Sequence, residues 1–150
     1  MQNHTEFMQK ALSLARLAMK SKEVPVGCIV VQGEKIIGEG HNRPISDKDP
    51  TGHAEIIAIR QAALSVNNYR LNETSIYVTL EPCIMCLGAI LNARIKTLFF
   101  GADDSKSGAC GGALEIHRNK NVNHHLSVHG GLCADESIAL LQEFFSKLRG

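Results

Sequence analysis

Two cysteines three residues apart, Cys83 and Cys86, open an apolar run directly after Leu80-Glu81-Pro82, and His53-Ala54-Glu55 stands upstream of them. Thiols at this spacing can grip one metal ion from a single helical turn, and an imidazole can add a third ligand. Zinc accepts sulfur and imidazole nitrogen in tetrahedral sites, and its catalytic sites use three protein ligands with water in the fourth position. Cys83, Cys86 and His53 make up that number. Glu55 is then a carboxylate able to handle protons without binding metal. The donor set constrains the fold, because two distant segments must meet at one point.

Two other readings compete for the cysteine pair. A structural zinc wants four protein ligands, usually as two close pairs. Cys28, Cys110 and Cys133 stand apart, and His124-His125 would point to opposite faces of a strand. A redox pair would explain neither His53 nor Glu55. Catalytic zinc accounts for all the parts together. His4, His41, His117, His124, His125 and His129 read as surface or loop residues outside any ligand set.

The 150-residue chain suits one domain, 1–150, with a real core. No apolar run reaches membrane-spanning length, so no membrane partner is expected. The N-terminus lacks the basic start and apolar middle of a signal peptide, which makes the cytoplasm the expected location. Five cysteines in no regular spacing show no disulfide framework. A net charge of +1 neither suggests nor forbids a nucleic-acid partner, which would need a local basic patch.

Periodicity predicts a first helix capped by Asn3 or Thr5 and running to about Lys22, before Glu23-Val24-Pro25 breaks it. Val26–Val31 and Lys35–Gly40 read as an antiparallel hairpin around Gln32-Gly33-Glu34. A loop follows from His41 to Gly52. The next helix, His53 to Ser65, has Thr51 as a candidate cap and is apolar on nearly every side, which predicts burial. Mid-helix, positions two apart do not share a face, so spacing alone leaves open whether His53 and Glu55 flank one metal. Ser75–Leu80 reads as a strand and Cys83 to about Asn92 as a helix with Pro82 at its first position. Thr97–Gly101 is a further strand, and strand, helix, strand suggests a parallel crossover. After a loop to Gly112 come a short helix at Ala113–His117 and a strand at His125–Val128. The last helix runs from Asp135 to Leu148, with Ile138, Leu141, Phe145 and Leu148 as its apolar stripe. The sum is one α/β domain, a mixed five-stranded sheet with helices on both faces.

Several segments resemble the bacterial tRNA-specific adenosine deaminases, within the cytidine deaminase-like zinc enzymes. They include Glu23-Val24-Pro25-Val26-Gly27, Gly38–Pro44, Asp49–Glu55, Tyr69-Arg70-Leu71 and Tyr77–Cys86. Further on come Ala93-Arg94-Ile95, Phe100–Gly108, Asn123-His124, and Phe144-Phe145 with Arg149. The zinc motif alone fits any cytidine deaminase-like enzyme, and the flanking segments narrow it. Gly52 and Cys110-Gly111-Gly112 depart from the family's usual residues.

The resemblance implies a three-layer cytidine deaminase-like fold and a homodimer. It implies one Zn2+ per subunit on His53, Cys83 and Cys86, with Glu55 relaying protons to the ring nitrogen and the leaving amine. The substrate would be a tRNA anticodon stem-loop, that of an arginine tRNA, with inosine formed at the first anticodon position. No DNA partner is implied. Val26, Asn42 and Ala54 would line the pocket of the flipped adenine. Asp104, Lys106, Phe145 and Arg149 would lie along the anticodon loop, some of them from the partner subunit. Phe145 also falls on the apolar stripe of the last helix, so core packing competes with a role on RNA. Lys106 and Arg149 could equally be solvated charges. Two other functions compete: a small-molecule deaminase of guanine, cytosine or a nucleoside, and a non-catalytic RNA-binding subunit with structural zinc. Such a subunit would be expected to lack the proton shuttle, which this chain keeps.

Overall fold

The computed structural model describes residues 3–149, the side chain of Arg149 excepted. Helix α1 (His4–Lys20) is capped by Asn3, whose side chain accepts the Glu6 N–H. It ends two residues earlier than its periodicity suggests. Lys22 turns to positive φ, and the N–H groups of Lys22 and Glu23 fold back onto Met19 and Ala18. Strands β1 (Gly27–Gln32) and β2 (Lys35–His41) form the expected antiparallel hairpin, with a bulge between Val30 and Val31. The loop after it is not wholly irregular, since Pro44–Asp47 makes one helical turn, α2. Helix α3 (Ala54–Val66), strand β3 (Thr74–Leu80), helix α4 (Ile84–Asn92) and strand β4 (Thr97–Ala102) follow. Strand β5 (Ser127–His129) and helix α5 (Ala134–Arg149) close the chain.

The strands form one sheet in the order β2-β1-β3-β4-β5, antiparallel over β2-β1-β3 and parallel over β3-β4-β5. The β3-α4-β4 unit is the predicted parallel crossover. One face packs on α1 and α5, through Met8, Leu12, Ile29, Val31 and Tyr77. The other packs on α3 and α4, through Val30, Ala58, Ile76, Leu87 and Ile90. The result is a three-layer arrangement with helices on both faces.

Four further sequence expectations need correction. No helix forms at Ala113–His117. The backbone there is tied down by a bridge between Cys110 and Glu115 and by the Ile116 N–H on Ala109. Strand β5 starts at Ser127, two residues late, because the His124 ring bonds the Ile95 carbonyl at 2.7 Å and holds the preceding segment off the ladder. Helix α3 is not buried all round. Its Ala54, Ala58 and Ala62 face the sheet, but Leu64 is 84% exposed. Helix α5 turns Ser137 and Phe144 inward, leaving Ile138, Phe145 and Leu148 exposed. Its sequence carries more than one apolar stripe, and the small Ser137, whose hydroxyl sits over Gly101, lets the helix approach β4 along the other one.

Close helix-to-sheet approach also positions the site. Gly38 and Gly40 of β2 lie under α3, where a methyl group on either would stand within 2.4 Å of the Ala58 or Ala54 carbonyl oxygen. Only glycine lets the start of α3 sit this low over the sheet.

Candidate metal centre

His53 and Cys83 hold equivalent positions in the two helices of one layer. Each is the N-cap residue of its helix, in extended backbone, with no side-chain cap bond of its own. Two helix N-termini therefore meet at one point, and their partial positive charge favours thiolate there. Pro82 lies just before Cys83, not at the first helical position as its fixed φ suggested. Cys86 falls in the first turn of α4 and is fully buried.

The His53 Nδ1 atom lies 3.7 Å from the Cys83 Sγ and 3.4 Å from the Cys86 Sγ. All three donor atoms are within 4.8 Å of one another. A tetrahedral zinc, with bonds of about 2.3 Å to sulfur and 2.0–2.1 Å to nitrogen, separates such donors by roughly 3.5 Å. The observed spacings fit that ion. Among the described residues, no other trio of His, Cys, Asp or Glu brings its ligand atoms this close.

The N-cap position of His53 brings it to the same cavity as Glu55. His53 precedes the helix and Glu55 is its second residue, so the rule for mid-helix faces does not apply. Both reach one cavity of about 220 Å³, lined also by Val26, Asn42, Cys83 and Asp104. Glu55 is 4% exposed. Burial pushes its carboxyl up to about 7, while its own backbone N–H and the His53 charge pull the other way. Hydrogen bonds from Cys86 and His53 pull the Cys83 thiol down to about 3. Cys86, as the donor of that pair and deeply buried, is pushed up.

Asn42 has a structural duty that its sequence position did not announce. Its Oδ1 accepts the Ala54 N–H at 2.9 Å, capping α3 from across the loop. Thr51, the expected cap, instead gives both its hydroxyl and its N–H to Asp49. Ala54 is fully buried and does not line the cavity. A second hollow of about 400 Å³ shares Val24, Leu80, Asp104 and Ser107 with the first and continues past Lys106 to Phe145. Phe145 is 43% exposed, with Phe144 edge-on beside it in the core position. Of the two rings, Phe144 takes the buried position and Phe145 the surface one. The Arg149 side chain lies outside the described residues.

Two buried carboxylates escaped the sequence reading. Glu23, 1% exposed, accepts the N–H groups of Ile45 and Ser46 and so caps α2. Glu81, 2% exposed, accepts three backbone N–H groups of the loop after β4. An acidic residue at the end of each apolar segment was the visible signal, although it did not reveal the partners.

Comparison with known proteins extends this picture. The model of the MafB19-like deaminase family matches residues 2–149. A tRNA-specific adenosine deaminase of Haemophilus influenzae is 48% identical over 145 residues, covering 96% of this chain and 84% of that protein. A solved structure from work on A-to-I editing by tRNA:A34 deaminases at the wobble position shares 40% identity. It covers 92% of this chain and 100% of its own, with a TM-score of 0.89. A guanine deaminase structure from Bacillus subtilis also shares 40% identity, over 68% of this chain and 66% of its own, with a TM-score of 0.66.

Proposed function

This chain belongs to the tRNA-specific adenosine deaminases, and we propose that His53, Cys83 and Cys86 hold the one zinc ion with which it works. The reaction is the hydrolytic deamination of adenosine to inosine at the wobble position of tRNA. The observation that carries the site assignment is the meeting of one imidazole and two sulfurs at the wall of a cavity that also holds a buried carboxylate. When bound, zinc supplies the Lewis acidity that activates water.

The chain's own groups do the rest. Glu55 takes a proton from the attacking water and returns protons to the purine nitrogen and the departing amine, so that ammonia leaves as oxygen joins C6. A carboxyl whose burial raises it to about 7 can both accept and give a proton near neutral pH. Val26 and Asn42 line the cavity and fix the flipped base. Ala54 acts through its backbone, which Asn42 binds. The cavity is below the usual size for drug-like ligands, which suits one base taken out of a loop.

The anticodon loop of an arginine tRNA is the proposed substrate, lying along the hollow that joins this cavity to Lys106 and Phe145. Exposed aromatic rings stack unpaired bases, and that is the role assigned to Phe145. Asp104 contributes mainly by shaping its loop, since its carboxylate accepts the N–H groups of Lys106 and Ser107. Arg149 completes the RNA contacts. The active form is a homodimer in the cytoplasm. The partner covers the outer faces of α3 and α4 and the turn after α3, where Leu64, Ile84 and Tyr69 are 84%, 56% and 66% exposed.

The likeness to guanine deaminase gives a second reading, turnover of a free base. Ammonia release on an anticodon stem-loop with adenosine at the wobble position, set against free guanine, separates the two. The expected result is inosine in the stem-loop and no guanine turnover. Robust guanine turnover with an untouched stem-loop would reverse the assignment.

A further inference from the structure

We propose that Glu81 is a positioning residue for the polynucleotide, folding the loop that forms the wall between the base cavity and the RNA hollow. This rests on the reading of the substrate given above. Glu81 follows β3 directly and precedes Cys83 by two residues, so one short segment serves both metal and substrate. Its carboxylate is buried, and among the described residues it makes no ion pair. Oε1 accepts the Asp104 N–H at 2.9 Å, and Oε2 accepts those of Cys110 at 2.9 Å and Gly112 at 2.8 Å. The loop thus wraps its backbone around a single anion.

The wrapping is tight. A methyl group on Gly108 would meet the Glu81 carboxyl carbon at 2.3 Å, and one on Gly112 would meet Oε1 at 2.5 Å. Two further ties fix the loop to the same segment: a bridge between Cys83 and Gly108, and the Ala109 N–H on the Pro82 carbonyl. What the loop carries gives this anchor its function. Asp104 and Ser107 line the base cavity and the adjoining hollow, and Lys106 lines the hollow alone. Releasing the loop from Glu81 moves the wall against which RNA lies while the side chains of the metal ligands and Glu55 stay as they are.

Glu81→Gln tests the assignment. Three N–H groups need acceptors from both oxygens, and an amide nitrogen on either side would face at least one of them donor to donor. The expected result is one zinc per chain, a kcat on the anticodon stem-loop within about threefold of wild type, and a KM raised about tenfold or more. That is the scale of one lost hydrogen bond to a charged group. An unchanged KM, a fall in kcat alone, or loss of zinc overturns the assignment. If Glu81→Gln does not fold, Gly112→Ala decides instead. It crowds the same carboxylate and the Asp104 carbonyl from the loop side, and an unchanged KM there counts against the proposal. Wild-type protein without turnover on the stem-loop sinks the substrate reading beneath it. An active wild type beside a Glu81→Gln variant of normal KM overturns only the role of Glu81.

Discussion

Glu55→Gln should bind zinc at one ion per chain and lose about 10²–10⁴ of the deamination rate, the usual contribution of a positioned acid/base. The amide keeps the shape of the carboxyl and its place at the second position of α3, but it can neither take a proton from water nor pass one to the leaving amine. Glu55 is outside the His–Cys–Cys trio, so metal content should not follow activity. The metal-free variant should also melt no lower than metal-free wild type at neutral pH. The folded-state carboxyl is raised from an ordinary value of 4.5 to about 7 by burial. The folded chain therefore holds that proton longer than the unfolded chain, and stability falls as pH rises through that window. Gln removes that loss. Metal analysis beside stopped-time ammonia release and pH-dependent melting checks the set. A zinc-free Glu55→Gln protein would take Glu55 out of the proton-relay role.

Cys86→Ser should lose both metal and turnover. Cys86 is fully buried, and its sulfur lies 3.4 Å from the His53 Nδ1. A hydroxyl does not ionise to replace thiolate, and two remaining ligands hold zinc far more weakly than three. Zinc content is expected below one-tenth of an ion per chain, with activity at background. A ligand that binds only the folded chain stabilises it by about 4 kcal/mol at a thousand times its dissociation constant. Wild-type protein should therefore melt several degrees higher with zinc than with a chelator, and Cys86→Ser should melt alike in both. A variant that keeps one zinc and its zinc-dependent melting would show that Cys86 is not a ligand.

The donor trio was legible in the sequence because its chemistry is carried by rare residues at fixed spacing. The sheet was legible because β-branched runs such as Val26–Val31 and Ser75–Leu80 alternate with helical periodicity. Hydrogen bonds between distant segments were not legible. Nothing local to Asn42 shows that it caps α3, nor that Thr51, the better local candidate, is occupied by Asp49. Glu81 and Glu23 look like ordinary acidic residues until the loops they anchor fold over them. In α5, Phe144 and Phe145 are equally apolar, and only the close seat of Ser137 over Gly101 decides which ring turns inward.

X-ray absorption at the zinc edge of the purified protein reads the proposed centre without any substitution. One imidazole nitrogen, two sulfurs and one light-atom ligand from solvent around a single zinc per chain is the predicted shell, with that last ligand replaced when a transition-state mimic of the purine binds. A shell completed by a fourth protein side chain, or full deaminase activity in protein free of zinc, would contradict it.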